Sequence, residues 1–177
     1  AATVDTVYRP LLIGRDPLDR ETLWIEMYNK LRDHGRKGAV IEALSAVDIA
    51  LWDLAGKHFG VPAYKLSGRA YRKRVRAYAT GLYRKDSVDN TRLLVEEATA
   101  YKAQGFRTMK VKIGFGHAYD VAIVRAIRDA VGPDIELALD ANHAYDVSAA
   151  LRLCEALEPL DIAWFEEPIV PEDVDGF

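Results

Sequence analysis

From Arg20 to His58 the apolar residues recur at helix spacing. Leu23, Met27 and Leu31 mark one stretch, with Gly35 as its expected stop. Ile41, Leu44, Val47, Leu51 and Leu54 mark a second, closed by Gly60 and Pro62. The second stretch is apolar almost all round, which predicts a helix inside a packed bundle or against a sheet. The turn-rich "PAYKLSGRAYRKR" that follows predicts a connection. From Val75 the period changes. "VRAYATGLY", "TMKVKIG", "IELALDAN" and "IAWFEEP" read as strands, the last broken by Pro168. Between them lie helical patterns over about Val88 to Gln104, over "AYDVAIVRAIRDAVG" and over about Val147 to Leu157. Strands alternating with amphipathic helices predict β/α units on a parallel sheet, so the class is α/β with about four units of roughly 30 residues each.

The bulk numbers narrow the partners. The chain has 177 residues, 50% of them hydrophobic, and a formal net charge of −3. That supports an ordinary packed core and gives no case for a nucleic-acid partner. The basic run "RAYRKRVR" from Arg69 to Arg76 reads as a solvated face or linker. A single cysteine, Cys154, excludes an internal disulfide framework and suits a reducing cytoplasm. No apolar run is long enough to span a bilayer, and "AATVDTVYRP" lacks the layout of a signal peptide. The chain has no initiator methionine and stops in the loop-like "PEDVDGF", so a piece of a longer protein is expected.

Candidate chemistry gathers at the strand ends. Lys110 and Lys112 are two residues apart, so both ammonium groups point to one face of their strand. Met109, Val111 and Ile113 form the opposite face, suited to packing under helices. Strand three ends in Asp140 with Asn142 two residues on, and strand four ends in Glu166 and Glu167. In parallel α/β sheets and barrels, active sites sit at these carboxyl ends. Asp140 and Glu166, from neighbouring strands, can converge on a hard divalent cation such as Mg²⁺. Lys112 could then approach the carbon next to a substrate carboxylate, with Lys110 as a second cation tuning it. Each signal alone has an ordinary reading. A lysine pair can be solvated or protect an edge strand. "LDAN" can be an Asx turn, "EEP" an acidic loop start, and Asn142 and His143 caps for the next helix. "GFGHAY" is discounted as a dinucleotide motif because Tyr119 occupies the third glycine position. The conjunction on successive strands, always at the same end, favours a site.

The motifs "MKVKIG", "LDANHAYD" and "WFEEP", with the upstream "SAVDIALWDLAGKHFGVPAYKLSG", resemble the enolase superfamily in its mandelate racemase and muconate-lactonising branch. The resemblance covers nearly the whole chain and is least clear before about Leu11. It implies a Mg²⁺-dependent enzyme that removes the proton α to a carboxylate. It also implies a TIM-type barrel with a capping domain: residues 1–72 as the helical part of the cap, residues 73–177 as the first half of the barrel. Lys112 falls on the base and Lys110 on a position near the substrate carboxylate. Asp140 and Glu166 fall on the first two metal ligands, with Glu167 as the alternative for the second. Asn142 falls near substrate and metal. His143 is grouped with the substrate-binding residues, with a structural or gating role as its alternative. The third acidic ligand and the His–Asp dyad of later strands fall outside this chain.

"RVRAYATGLY", "DANHAYD" and "WFEEPIVPEDVDGF" resemble the acid-sugar dehydratases and lactone cycloisomerases of the branch. The expected substrate is a hydroxy-acid, a sugar-acid or its lactone, whose enolate undergoes β-elimination or cycloisomerisation. The alternatives are a racemase or epimerase on the same scaffold, or a catalytically incomplete fragment. No nucleic-acid or membrane partner is expected. A homo-oligomer is expected at full length, through an apolar helix such as "EALSAVDIALWDL".

Overall fold

Helix periodicity in the first third of the chain resolves into short packed segments. A π-helical turn over Val4–Tyr8 runs into α1 (Arg9–Leu12), and α2 (Arg20–Leu31), α3 (Ala39–Phe59) and α4 (Ala63–Leu66) follow. The computed structural model describes residues 2–68 and 70–177, in two units, Ala1–Arg74 and Val75–Phe177. In the first unit Tyr8, Leu23, Met27, Leu44 and Leu51 form the core. Tyr8 is fully buried, and its hydroxyl donates to the Val40 carbonyl at 3.2 Å. Burial of this phenol explains why the segment before Leu11, which shows too few apolar repeats to read as a helix, is nonetheless fixed in place.

α3 stops where expected. Gly60 takes the left-handed conformation (φ 66°), which costs a residue with a Cβ but not glycine. The Val61 N–H then closes on the Gly56 carbonyl at 2.9 Å. Its burial differs from expectation. Leu44, Leu51, Ala55 and Gly56 are buried, whereas Ile49, Leu54 and Phe59 lie on an exposed face. The other helices of this unit cover one side of α3 only. In the basic run, Arg69 lies outside the described residues, and residues 70–76 are exposed as a solvated stretch should be.

The second unit carries β1 (Ala79–Thr80), α5 (Asn90–Ala103), β2 (Thr108–Lys112), α6 (His117–Val131), β3 (Glu136–Asp140), α7 (Val147–Leu157) and β4 (Ile162–Glu166). The strands are all parallel, in the order β1-β2-β3-β4. This is the α/β arrangement that the alternation predicts. The fourth strand is followed by a 3₁₀ turn at Val174–Gly176 rather than by a helix among the described residues. Met109, Val111, Leu137 and Leu139 are buried against Leu94, Ala98, Ile123, Val124, Ile127 and Leu153 of the three helices. The helices therefore cover the face opposite the lysines, and the residues between, Lys110 and Asp140, point the other way.

The first strand is shorter than "VRAYATGLY" suggests, two paired residues instead of nine. Among the described residues it pairs with β2 alone, and Leu82 turns the chain with φ 55° immediately after Gly81. Glu97 of α5 stabilises that turn. It accepts from the Leu82 N–H at 3.0 Å and the Tyr101 hydroxyl at 2.9 Å, and it pairs with Lys85 at 2.7 Å.

Candidate active site

Register alone aligns the candidate residues. Lys112 is paired with Asp140 across β2 and β3, and Asp140 with Glu166 across β3 and β4. The strands thus deliver these three side chains to one rim. The Lys110 ammonium lies 2.7 Å from Glu166 Oε1 and 3.3 Å from Asp140 Oδ2. Lys112 donates to Asp140 Oδ2 at 2.5 Å and to Asn142 Oδ1 at 2.9 Å. Two cations on one face are tolerated because two carboxylates share the place with them.

Burial works to lower the pKa of the Lys110 ammonium, but Glu166 and Asp140 outweigh it and hold the value above the usual lysine range. Burial likewise pushes the Asp140 carboxyl up. Lys112, the Asn142 N–H and Lys110 together hold it below the ordinary carboxylate range. Both groups are charged across neutral pH. Asp140 is 1% exposed and Lys110 7% exposed, so these charges have little water to fall back on.

A second layer surrounds this one. Asn142 donates from Nδ2 to Glu167 Oε2 at 3.0 Å, and His143 Nε2 lies 3.5 Å from the same oxygen. The other ring nitrogen of His143 is 3.3 Å from the Ile169 carbonyl. His143 is thus apart from the lysine pair, while Asn142 touches it. Asn142, His143 and Glu167 all have left-handed backbones (φ 46°, 66° and 47°), which side chains with a Cβ adopt at a cost. Ladder bonds compensate: the Ala141 and His143 N–H groups donate to the Glu166 and Glu167 carbonyls at 3.1 and 2.9 Å.

The ordinary readings fare unequally. β2 lies between β1 and β3, so the lysines do not protect an edge. The cap of α7 is Asp146, which accepts from the Ala149 N–H at 2.7 Å, so neither Asn142 nor His143 caps it. "LDAN" does form an Asx turn, with the Asn142 N–H donating to Asp140 Oδ1 at 3.0 Å. The turn leaves Asp140 Oδ2 facing the lysines.

Several residues at this rim carry no sequence signal. Asp120, fully buried in the first turn of α6, accepts from the Gly114 N–H at 2.8 Å, the Phe115 N–H at 3.3 Å and the Tyr145 hydroxyl. Gly114 is required where it stands: φ is 103°, and a Cβ would meet the Ala141 carbonyl oxygen at 2.8 Å. Trp164 Nε1–H donates to Glu166 Oε2 at 3.3 Å. The rings of Tyr78 and Tyr83 stand 5.8 and 5.7 Å from the Lys110 and Lys112 ammonium groups.

The donor chemistry suits a hard cation. Asp140 and Glu166 offer carboxylate oxygens that already converge on one positive centre, the Lys110 ammonium. The set is partial, because no group of three or more His, Cys, Asp or Glu side chains suited to a metal occurs among the described residues.

Parallel β/α units with lysines and carboxylates at the carboxyl rim define a partial barrel of the α/β class. Two family models match the chain: the mandelate racemase / muconate lactonizing enzyme N-terminal domain over residues 1–68, and the enolase C-terminal domain-like family over residues 93–177. The chain belongs to the enolase superfamily, in its mandelate racemase/muconate-lactonising branch. It is 45% identical over 176 residues to D-galactarolactone cycloisomerase of Agrobacterium fabrum, covering 99% of this chain and 47% of that protein. It is 42% identical over 174 residues to arabinonate dehydratase of Saccharolobus solfataricus, covering 98% of this chain and 46% of that protein. The crystal structure of a racemase from Streptomyces coelicolor A3(2) with bound magnesium superposes with a TM-score of 0.90 at 39% identity, over 99% of this chain and 48% of that one. The chain therefore spans about half the length of the relatives it matches. No helix among the described residues is long and apolar enough to cross a membrane.

Proposed function

We propose that the protein carrying this chain is a Mg²⁺-dependent lyase or isomerase acting on a hydroxy-acid or sugar-acid, or on its lactone. It removes the proton α to the carboxylate, and the resulting enolate undergoes β-elimination or cycloisomerisation. The observation that carries this reading is the convergence of Asp140 and Glu166 on one cationic centre, with the Lys112 ammonium bonded to the same Asp140. Family membership and similarity to a cycloisomerase and a dehydratase support it. In this reading residues 1–72 are the helical part of the cap and residues 73–177 the first half of the barrel.

Asp140 and Glu166 would hold the metal, with Glu167, tied up by Asn142, as the less suitable ligand. Mg²⁺, when bound, supplies positive charge against the substrate carboxylate and the enolate formed from it. Lys110, held charged by its neighbours, suits an electrostatic grip on a carboxylate and not proton abstraction. Lys112, the more open of the two with 15% of its side chain exposed, takes the α proton once it is neutral. Asn142 already bonds Lys112 and keeps that amine aimed. His143 sits further out and would meet the substrate's distal hydroxyls.

The test is Lys112→Ala in the full-length protein, assayed with acid sugars and Mg²⁺. Loss of turnover and of α-proton exchange with ²H₂O is expected, with Mg²⁺ binding retained. Retained exchange would remove Lys112 as the base. Exchange into both substrate and product with inversion would favour the racemase alternative.

A further inference from the structure

We propose that the groove between α2 and α3 of the first unit is an interface between copies of this protein, closed by the same groove of a second copy across a two-fold axis. This goes beyond the reaction proposed above and does not depend on it. The groove has a volume of about 330 Å³ and is lined by Arg20, Glu21, Trp24 and Ile25 of α2 and by Asp48 and Trp52 of α3.

Arg20 is the reason to expect an occupant. Its guanidinium carbon rests 3.7 Å from the centre of the Trp52 ring, and stacking there holds the side chain in place. Its Nη1 is buried, yet it has no hydrogen-bond partner among the described residues. A buried charged donor is costly to leave unpaired, so an acceptor arriving from outside relieves a standing penalty. The ion pairs of this unit among the described residues are Arg15–Glu26, Arg32–Asp33 and Lys57–Asp53, which leaves Arg20, Glu21 and Asp48 all without one. The surface around these charges is apolar. Trp24 stacks on Tyr28 with ring centres 5.1 Å apart, and Trp24, Ile25 and Ile49 are exposed. Arginine and tryptophan are the residue types that most often anchor an interface.

Charge decides between occupants. An acidic partner satisfies Arg20 but meets Glu21 and Asp48, two repulsions against one gain. A basic partner satisfies the acids and leaves Arg20 facing a like charge. A second copy of the groove, turned about a two-fold axis, brings an arginine to Asp48 and an aspartate to Arg20, so each contact is made twice. Trp24 and Ile25, flanking the pairs, then keep water from them.

The experiment reverses these charges in the full-length protein and reads its mass by sedimentation equilibrium. The unaltered protein is expected to be a dimer or an even-numbered assembly. Arg20→Glu and Asp48→Lys should each halve that mass at micromolar concentration, through a dissociation constant raised by about 100-fold or more. An equimolar mixture of the two variants should recover it, because across a two-fold axis the mixed pair restores both opposite-charge contacts. Damage to folding does not produce that recovery. Arg20→Met, which keeps the stem on Trp52, disturbs the fold least and should still weaken association by about tenfold. Unchanged mass in both reversals, or no recovery on mixing, overturns the interface. An unaltered protein that is monomeric, with reversals that lower only its melting temperature, overturns it too and shows that another part of the same polypeptide covers the groove.

Discussion

The Tyr145 hydroxyl donates to the buried carboxylate of Asp120, and so ties the loop after β3 to the loop after β2. Asp120 also holds the Gly114 and Phe115 N–H groups, two and three residues beyond Lys112. Tyr145 stands three residues beyond Asn142. The lysine and the asparagine that touch at the rim are thus braced from behind by a second pair. Burial and the Asp120 charge push the Tyr145 phenol well above its ordinary pKa, so it stays a donor throughout the working pH range. Tyr145→Phe leaves one carboxylate oxygen short of a donor and should cost about 1–3 kcal/mol. Asp120→Ala strands two backbone N–H groups and the phenol together, and should cost more. Urea denaturation of the full-length protein measures both. An Asp120→Ala variant as stable as the wild type would remove the brace.

Lys110 occupies the position between Asp140 and Glu166 that a metal would compete for. Lys110→Met removes that competitor and leaves two like charges facing each other. Mg²⁺ should accordingly bind the variant more tightly, by about tenfold, which corresponds to ~1.4 kcal/mol. Its thermal melt should rise more steeply with MgCl₂ than that of the wild type. Turnover should nonetheless fall if Lys110 has the proposed role of gripping the substrate carboxylate. Equal Mg²⁺ dependence in the two proteins would show that the ammonium and the ion do not compete.

How far the sequence spoke depended on where each residue's partner lies. Lys110, Lys112, Asp140 and Glu166 were legible because strand alternation and the parallel-sheet rule together determine both face and end. Asp120 was not, since two of its partners are backbone N–H groups, which leave no trace in residue type. Tyr145 reads as an ordinary loop tyrosine until the turn brings it to Asp120. The end of β1 at Thr80 follows from the Leu82 turn and the Glu97 anchor just beyond it. That anchor links positions 15 apart and has no periodic signature. The exposed face of α3 shows the converse limit: an apolar repeat says that a face can be buried, not that this chain supplies the cover.

Glu97 offers a pH test away from the lysines. Burial pushes its carboxyl up, but Lys85, the Leu82 N–H and the Tyr101 hydroxyl outweigh it and hold the pKa below the usual glutamate value. A depressed folded pKa means that the stabilisation is fully present above the unfolded value of about 4.3 and is lost as pH falls through the folded value. Glu97→Gln should be less stable than the wild type at neutral pH and should narrow that gap on acidification. Urea midpoints taken from about pH 6 down to about pH 3 read this directly. A gap that stays constant over the range would show that the carboxylate's charge contributes nothing to the turn.

The sheet itself predicts how these 177 residues behave when expressed by themselves. Among the described residues β4 pairs only with β3, and β1 only with β2. The outward side of β4 therefore offers free N–H and C=O groups. Trp164 within β4 and Val170 in the loop that follows are 36% and 48% exposed, and Ile49 and Leu54 of α3 add apolar surface of their own. Unpaired strand edges with nearby apolar surface recruit further chains. The isolated chain should associate or fold incompletely, with light scattering that rises with concentration and a broad melt. Lysine substitutions on the solvent side of β4, such as Ala163→Lys, should reduce the association without restoring a sharp transition, because they block the edge without supplying its missing partner. A monomer with a sharp cooperative melt would mean that four strands and the helices on one face are already a self-sufficient fold.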